Sequence, residues 1–444
     1  MKWSAFNHIL CSGKYGYFIY NSSSNSFVKI SEELYHKFCS ITDFSTENIS
    51  TILSCCTEDL KNILYKCNII VEDDFDNQFL LKKKYIRNML SYSNSMVSLT
   101  VATTTACNFK CPYCFEDGIV PQTMQSDVEQ AIVDYVLQFP NIHIAWYGGE
   151  PLLNFSSIVN INKKLETTDT YNSLTQEIIT NGYLLTEDIC NFFANKNLKQ
   201  IQVTIDGREA AHNRSRIHKE GLPTYQTILS NIDTALKILP NTMFAIRVNV
   251  NMANREEYPL LYKELSERWK FYKNIKPYLS FVENYGLCDN RCLDSTEKIN
   301  YVKELRELGI YETIYPKANH GICLANRYSD YVIAPDGSLY KCWADIGRTD
   351  KMVGNIKTPK NITNFQPITD YAFTYDKFHN DKCLSCFMLP MCDGGCPHNR
   401  YEQMKINPLR PVCPYKLENI DSVLELVYEN YLKVKSILKD RNTI

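Results

Sequence analysis

Three cysteines in the first half of the chain, Cys107, Cys111 and Cys114, stand at a CxxxCxxC spacing. They follow an apolar, β-branched run over 97–106 that is typical of a strand. They therefore fall on the loop at the strand's C-terminal end, where the active sites of α/β folds collect. Three thiolates can hold an iron–sulfur cluster and leave one iron open to a substrate. A structural zinc site is the alternative, but zinc usually takes four ligands and no fourth follows closely.

Four short motifs follow these cysteines in chain order. They are Gly148-Gly149-Glu150-Pro151, Thr180-Asn181-Gly182, Thr204-Ile205-Asp206-Gly207 and the spaced pair His212 and Arg216. Each motif alone is weak, because Gly-Gly and Asp-Gly segments are common in turns. Together with Tyr113, the aromatic residue before the third cysteine, the ordered set resembles the radical SAM superfamily.

This resemblance implies a cofactor and a reaction. The open iron of a [4Fe–4S] cluster would bind S-adenosylmethionine (SAM). One electron would then split SAM into methionine and a 5′-deoxyadenosyl radical, which removes hydrogen from a carbon of a peptide. The residues that the resemblance places around SAM are Tyr113, Gly148, Gly149, Glu150, Thr180, Asn181, Thr204, Asp206 and Arg216.

The resemblance also implies an α/β fold, a partial (β/α)6 radical SAM barrel with SAM at its C-terminal rim. Strand-like and helical runs alternate from 97 to about 280, as a parallel sheet requires. We place the barrel at 97–310, after a linker helix at 76–96.

Seven more cysteines follow, and their order resembles the SPASM domain. The resemblance assigns a first auxiliary cluster to Cys323, Cys342 and Cys396, and a second to Cys383, Cys386, Cys392 and Cys413. It thus implies three [4Fe–4S] clusters in all, with two zinc knuckles as the alternative. We place this domain at 311–415, and we expect a C-terminal helix at 416–444 to pack against the barrel.

One feature departs from the fullest SPASM pattern. No further cysteine occurs in 324–330, so the first auxiliary cluster has three assigned ligands. The fourth ligand is Cys288, Cys292, a non-cysteine group such as Asp330, or nothing. An open iron there could bind a substrate thiolate or the peptide backbone.

The first 75 residues show three short strand-like runs and three helix starts, at Ser31, Thr46 and Thr57, before a return strand. This winged-helix-like plan resembles the peptide-recognition domain of radical SAM peptide-modifying enzymes. That domain binds the leader segment of a precursor peptide as an added strand on an exposed sheet edge. The alternative is a capping subdomain without a ligand.

Composition excludes several classes. The 444 residues carry a net charge of -2, which gives no footprint for nucleic acid. No run of about 18 apolar residues predicts a membrane span, and Asn7 and His8 interrupt the N-terminal apolar run, so no signal peptide is expected. Eighteen cysteines then indicate a reducing cytoplasm rather than a disulfide framework. We expect those outside the motifs to be small buried hydrophobes: Cys11, Cys39, Cys55, Cys56, Cys67, Cys190, Cys288 and Cys292.

Two functions within this group compete. One is a maturase that cross-links a ribosomally made precursor peptide through a thioether, ether or carbon–carbon bond, with flavodoxin or ferredoxin as electron donor. The other is an anaerobic sulfatase maturase that oxidises Cys or Ser to formylglycine. The sulfatase pattern places an aspartate after the cysteine of the G-x-x-x-x-C step, where this chain has Trp343. We therefore favour the peptide maturase.

A non-enzymatic iron–sulfur scaffold that binds peptides is the hypothesis from another class. The SAM-side motifs argue against it, because a scaffold has no need of them. No catalytic base is identified; Asp345, Glu283 and Tyr340 are positional candidates.

Overall fold

The computed structural model describes residues 1–41, 46–282, 292–312, 322–392, 394–408, 410–413 and 419–441. Its N-terminal unit consists of β1 (Lys2–Trp3), β2 (Asn7–Ser12), β3 (Gly16–Asn21), β4 (Ser26–Ile30), α1 (Glu32–Cys39), α2 (Thr46–Ser54), α3 (Glu58–Lys66) and β5 (Ile70–Val71). Strands β2, β3 and β4 form an antiparallel sheet, with β3 in the centre. The return strand β5 pairs with β1, which is too short to show a pattern in the sequence.

Two of the predicted helix starts are visible as N-caps. The Ser31 hydroxyl accepts a hydrogen bond from the Leu34 amide at 3.2 Å, and the Thr57 hydroxyl accepts one from the Leu60 amide at 3.2 Å. Both satisfy a backbone donor that the first turn leaves free. Both starts are therefore confirmed.

The central region alternates strands with helices. Its elements are α4 (Phe75–Ser91), β6 (Val97–Thr104), α5 (Ser126–Val136), β7 (Ile142–Gly148), α6 (Phe155–Glu166), β8 (Leu174–Thr180), α7 (Glu187–Phe193), β9 (Leu198–Thr204), α8 (Glu209–Ser215), α9 (Tyr225–Ile238), β10 (Met243–Val250), α10 (Glu257–Arg268), β11 (Ile275–Phe281) and α11 (Ser295–Glu307). Strands β6 to β11 are parallel and adjacent in chain order, which confirms six parallel strands. The predicted motifs lie at or just after the C-terminal ends of β6 to β9, so the sheet brings them to one edge.

The C-terminal region continues the same sheet. Its elements are β12 (Tyr331–Ile333), β13 (Ser338–Tyr340), β14 (Gly354–Asn355), α12 (Gln366–Thr369), α13 (Asp381–Leu384), α14 (Pro397–Lys405) and α15 (Ile420–Arg441). Strand β12 pairs in parallel with β6, and β13 and β14 follow it in antiparallel pairing, so the sheet has nine strands. The segment that carries Cys342, two residues after β13, is thereby joined to the barrel sheet through β12.

The C-terminal helix α15 packs more widely than expected. Its Val423 and Leu424 share an apolar cluster with Phe18 of the N-terminal sheet and with Val302 of α11. The predicted packing against the barrel is thus part of its contact, and the N-terminal sheet supplies the other part.

Candidate metal centres

The loop that carries Cys107, Cys111 and Cys114 is held on the segment after α8. The Lys110 amide donates to the Ile217 carbonyl, and the Lys219 amide donates to the Asn108 carbonyl, both at 2.8 Å. The antiparallel contact fixes the loop between Cys107 and Cys111. The three cysteines are therefore displayed by a constrained backbone at the C-terminal end of β6.

The three thiols fit a metal cluster. Burial raises the pKa of Cys107 to about 11 and also raises the pKa values of Cys111 and Cys114. For Cys107 the nearby Glu150 and Cys111 add to the effect. Thiolates in this environment need a compensating positive charge, which iron supplies.

The two glycines of the GGEP motif approach the protein backbone itself. A Cβ on Gly148, whose φ is +127°, would lie 2.1 Å from the Thr104 carbonyl oxygen; one on Gly149 would lie 2.5 Å from that of Ala106. The Gly149 amide donates to Thr104 at 3.1 Å. Glycine is required here because β7 ends directly against the chain that enters Cys107.

Glu150 joins two strand ends. It is fully buried, and one carboxylate oxygen accepts from the Thr180 hydroxyl at 2.8 Å and from the Leu152 amide at 3.1 Å. The other accepts from the Asn181 amide at 2.7 Å. Burial raises the pKa of Glu150, while these hydrogen bonds favour its charged form. It therefore fixes the Thr180–Asn181 segment relative to β7.

Asn181 lies beside the first cysteine. Its side-chain nitrogen, Nδ2, donates to the Asn108 side-chain oxygen at 2.7 Å and lies 4.0 Å from the Cys107 sulfur. Asn108 was not predicted as a site residue, although it directly follows Cys107. The Asn108 amide nitrogen is buried without a hydrogen-bond partner among the described residues.

Tyr113, Asp206 and Arg216 meet in one cluster. The Tyr113 hydroxyl donates to Asp206, and the Arg216 guanidinium donates to Tyr113 at 3.1 Å while lying 3.6 Å from the same Asp206 oxygen. The second Asp206 oxygen accepts from the Asn249 amide at 3.1 Å. The structure thus brings together the aromatic residue before the third cysteine, the Asp-Gly motif after β9 and the arginine that follows it.

Spare hydrogen-bond donors remain around this cluster. The Arg216 Nε and the Asn108 Nδ2 are buried and lack acceptors within the described part of the chain. A ligand with acidic or hydroxyl oxygens would satisfy them. The carboxylate and ribose of SAM have that chemistry, so this set of donors fits SAM.

His212 is neutral and acts on the backbone. Its Nδ1 accepts from the Asp206 amide at 3.3 Å, and its carbonyl accepts from the Arg216 amide at 2.7 Å. Burial lowers its pKa to about 3, with the charge of Arg216 as a second cause. His212 therefore holds the turn that carries Asp206. Thr204 ends β9 and is half-buried.

A second group of cysteines forms around Cys342. Burial raises the pKa of Cys342 well above its usual range, and the charges of Asp345, Cys396 and Cys323 add to this. Cys323 is exposed at the surface as a residue, yet desolvation of its thiol group raises its pKa, and the charge of Cys396 also contributes. The three predicted ligands of the first auxiliary cluster are thus mutual neighbours.

Cys383, Cys386, Cys392 and Cys413 form the third group. Burial raises the pKa of Cys386, and the charges of the other three add to it. Arg400 donates to the Cys383 sulfur at 3.4 Å. Four thiols from two segments converge here, as a fully ligated cluster requires.

The candidate bases differ in position. Asp345 and Tyr340 are buried. Glu283 lies outside the described residues. Trp343, which stands where the sulfatase pattern has an aspartate, stacks on Tyr147 with ring centroids 5.8 Å apart.

The prediction for the remaining cysteines is partly wrong. Cys56 and Cys190 are buried as expected, whereas Cys11, Cys39 and Cys55 are exposed on the N-terminal unit. Cys67 is half-buried, Cys292 is disulfide-bonded and Cys288 lies outside the described residues. The N-terminal unit is small, so a smaller fraction of its residues can be buried, and some of its cysteines remain at the surface.

Within the described ranges, no helix is both long and apolar enough to cross a membrane.

Comparisons with known proteins agree with this geometry. The model of the radical SAM superfamily matches residues 101–265. A cysteine-type anaerobic sulfatase-maturating enzyme from Clostridium novyi is 23% identical over 342 residues, which span 69% of this chain and 89% of that enzyme. The radical SAM cyclopropyl synthase TigE from Paramaledivibacter caminithermalis is 20% identical over 353 residues, covering 70% of this chain and 69% of the synthase.

Solved structures share the fold. The structure described as native anSMEcpe with bound AdoMet has a TM-score of 0.60 and 19% identity, and the match covers 77% of this chain and 100% of that one. Streptococcus suis SuiB bound to precursor peptide SuiA has a TM-score of 0.52 and 15% identity, covering 94% of this chain and 100% of SuiB. The protein is a radical SAM enzyme, and its class implies SAM and a [4Fe–4S] cluster as cofactors.

Proposed function

We propose that this enzyme cross-links a ribosomally made precursor peptide by a thioether, ether or carbon–carbon bond. The observation that supports the proposal is that the predicted SAM-side residues meet at the strand ends in a chain whose N-terminal sheet has a free edge. Among the described residues, β4 pairs with β3 on one side and with no strand on the other. An extended leader segment can add to such an edge through main-chain hydrogen bonds.

In the proposed reaction, Cys107, Cys111 and Cys114 hold the SAM-binding cluster. When bound, the cluster would supply the one-electron reduction of SAM on which hydrogen abstraction from the peptide depends. Arg216 and Asn108 present buried donors to the polar groups of SAM, Tyr113 and Asp206 hold the guanidinium, and Glu150 fixes Asn181 beside Cys107. The protein thus supplies orientation.

Two auxiliary clusters complete the proposal. Cys323, Cys342 and Cys396 would hold the first, and Cys383, Cys386, Cys392 and Cys413 would hold the second. A cross-link removes two hydrogens from the peptide, so a second electron must leave after the first hydrogen is abstracted. A cluster whose potential is tuned by ligation and burial can accept it. Reduced flavodoxin or ferredoxin is the proposed donor for the first step.

The sulfatase-maturase reaction is the second candidate. The similarity to the Clostridium novyi enzyme over 89% of that protein's length favours it. Against it, Trp343 occupies the aspartate position, and the nearest acid, Asp345, is buried. The N-terminal unit also has no counterpart in the sulfatase-maturase pattern.

Mass spectrometry of the product separates the two candidates. A short cysteine- or aromatic-containing peptide encoded beside the gene is co-expressed with the enzyme without air. Loss of two hydrogens per site, located by fragmentation, supports the cross-link. A cysteine or serine converted to an aldehyde supports the sulfatase reaction. An unchanged peptide mass with continued SAM cleavage would show that this peptide is not cross-linked, as expected for a wrong substrate or an epimerisation.

A further inference from the structure

A buried carboxylate lies beside one of the auxiliary cysteines. Asp345 stands three residues after Cys342 on a short 3-10 turn and is fully buried. The Cys342 sulfur, an Asp345 carboxylate oxygen and a His398 ring nitrogen all lie within 4.8 Å of one another. The three side chains thus converge on one small volume at the first auxiliary site.

The two oxygens of Asp345 have different surroundings. One oxygen, Oδ2, accepts a hydrogen bond from the Tyr371 hydroxyl at 2.7 Å. The other, Oδ1, has no hydrogen-bond donor among the described residues, and the His398 Nδ1 lies 3.5 Å from it. A buried carboxylate oxygen without a donor is costly unless a cation binds it.

Buried positive charge surrounds the same site. Lys351 is almost fully buried over the Tyr371 ring, and its charge and that of Asp345 influence each other. Lys341 is also buried, and it interacts electrostatically with Cys323. These cations offset the negative charge that a fourth anionic ligand adds to a thiolate-bound cluster.

The other candidates for a fourth ligand are occupied or outside the described chain. One Asp330 oxygen accepts from the Ser98 amide at 2.9 Å. The other has no hydrogen bond among the described residues, but the Arg327 Nε forms an ion pair with it at 2.7 Å, closer than the 3.5 Å between His398 and Asp345. Asp330 therefore joins β12 to β6. Cys292 is disulfide-bonded, and Cys288 falls outside the described residues.

We propose that the Asp345 Oδ1 is the fourth ligand of the cluster held by Cys323, Cys342 and Cys396. An iron–oxygen bond forms from the Asp345 carboxylate, and no oxidation state changes. Tyr371 holds the opposite oxygen and so aims the free one at the iron. This cluster is then closed, and the substrate does not bind to it. The inference rests on the auxiliary cluster of the proposed function.

The test uses the anaerobically reconstituted full-length enzyme with excess SAM, which occupies the open iron of the first centre. Carbon-13-labelled cyanide is added to the reduced protein, and pulsed EPR detects carbon-13 bound at iron. The wild type and the exposed control Asp350→Asn are expected to show no coupling. Asp345→Ala is expected to show it, because its cluster has an open iron. Coupling of equal strength in the wild type, or none in Asp345→Ala, overturns the proposal.

Asp345→Cys is the second variant, for the case in which Asp345→Ala does not fold. It replaces the carboxylate by a thiolate, which donates more charge, so the reduction potential of this cluster is expected to fall while cyanide still does not bind. An unchanged potential overturns the assignment. Iron analysis distinguishes failure of the proposed function from failure of this ligand assignment. If the wild-type protein holds only the iron of the first centre, the auxiliary cluster itself is contradicted. If the wild type holds the iron of all the proposed clusters but the Asp345 variants change neither cyanide binding nor potential, the ligand assignment alone is contradicted.

Discussion

The first centre and the first auxiliary centre differ in what their buried side chains leave unsatisfied. Around Cys107, the groups without partners in the described chain are donors, on Asn108, His212 and Arg216. Around Cys342, one oxygen of Asp345 is an acceptor without a hydrogen-bond partner in the described chain. Spare donors fit a ligand that carries anionic oxygens, and a spare acceptor fits a cation. If the proposed assignments hold, this contrast means that the first centre would bind a small molecule, whereas the auxiliary centre would coordinate its metal with protein ligands alone.

The largest expected effect separates the roles of the two regions. Cys111→Ala removes a proposed ligand of the SAM-side cluster, and release of 5′-deoxyadenosine is expected to fall below detection, because two thiolates are too few to hold that cluster. Cys386→Ala alters an auxiliary site, and it should keep that release but give no cross-linked peptide. Chromatography of the nucleoside beside the peptide mass measures both, with the exposed Cys55→Ser as control. Continued SAM cleavage by Cys111→Ala would refute the assignment.

Arg216 tests the spare donors of the first centre. Arg216→Gln removes a buried charged donor, and SAM affinity is expected to fall about 10- to 100-fold, which corresponds to roughly 1.5–3 kcal/mol. Perturbation of the cluster EPR signal by added SAM gives the affinity. The exposed Arg208→Gln, which breaks an ion pair with Glu257, is the matched control. Equal affinities in both variants would remove Arg216 from the SAM site.

Gly149 tests the close backbone approach at the same centre. Gly149→Ala places a Cβ 2.5 Å from the Ala106 carbonyl oxygen, and overpacking of this kind costs about 1–3 kcal/mol. Lower iron content and a lower melting temperature are expected. Gly13→Ala, which meets nothing within 4 Å, should change neither. A Gly149→Ala protein with full iron would show that the backbone can move apart.

His212 makes stability depend on pH. Its pKa is lowered to about 3 in the folded protein, whereas an unfolded histidine titrates near 6.5. Between these pH values the unfolded state binds more protons than the folded state. The free energy of unfolding therefore falls as the pH drops below about 6.5, and His212 accounts for a loss of roughly 2 kcal/mol at pH 5. Denaturant unfolding at pH 7.5 and 5 should show a smaller loss in His212→Asn. His36→Asn, at an exposed histidine, is the control and should lose as much stability as the wild type. An equal loss in His212→Asn would contradict the role given to His212.

Tyr371 gives the smallest expected effect and concerns the auxiliary centre. Tyr371→Phe removes the hydroxyl that donates to Asp345 at 2.7 Å, at a cost of about 1 kcal/mol. The auxiliary cluster signal should broaden or shift in EPR, because the carboxylate is no longer held on both sides. Tyr85→Phe, on an exposed tyrosine, is the control. An unchanged EPR signal would show that the Tyr371 hydroxyl does not influence the cluster.

Sequence order predicted much of the first centre. Its cysteines lie on one loop, and its other motifs end consecutive parallel strands, so chain order alone brings them to one edge. Tyr113, Asp206 and Arg216 accordingly meet, as do Glu150 and Thr180. The alternation of strand-like and helical runs predicted a parallel sheet, and the family resemblance implied about six strands.

The rest depends on contacts between distant segments. The pairing of β12 with β6 and the approach of Tyr371 and His398 to Asp345 have no local signal. Asn108 was missed although it follows Cys107, because an asparagine in a loop is usually a turn residue. The glycines of the GGEP motif were expected at SAM, and their tightest contact is with the backbone at Thr104–Ala106.

Deuterium transfer tests the central claim most directly. The precursor peptide is prepared with deuterium on the carbons of its candidate residues and incubated with enzyme, SAM and reductant, and the mass of the released 5′-deoxyadenosine is measured. The account predicts that one deuterium moves from the modified peptide carbon into 5′-deoxyadenosine as the cross-link forms. A cross-linked peptide accompanied by unlabelled 5′-deoxyadenosine would contradict it.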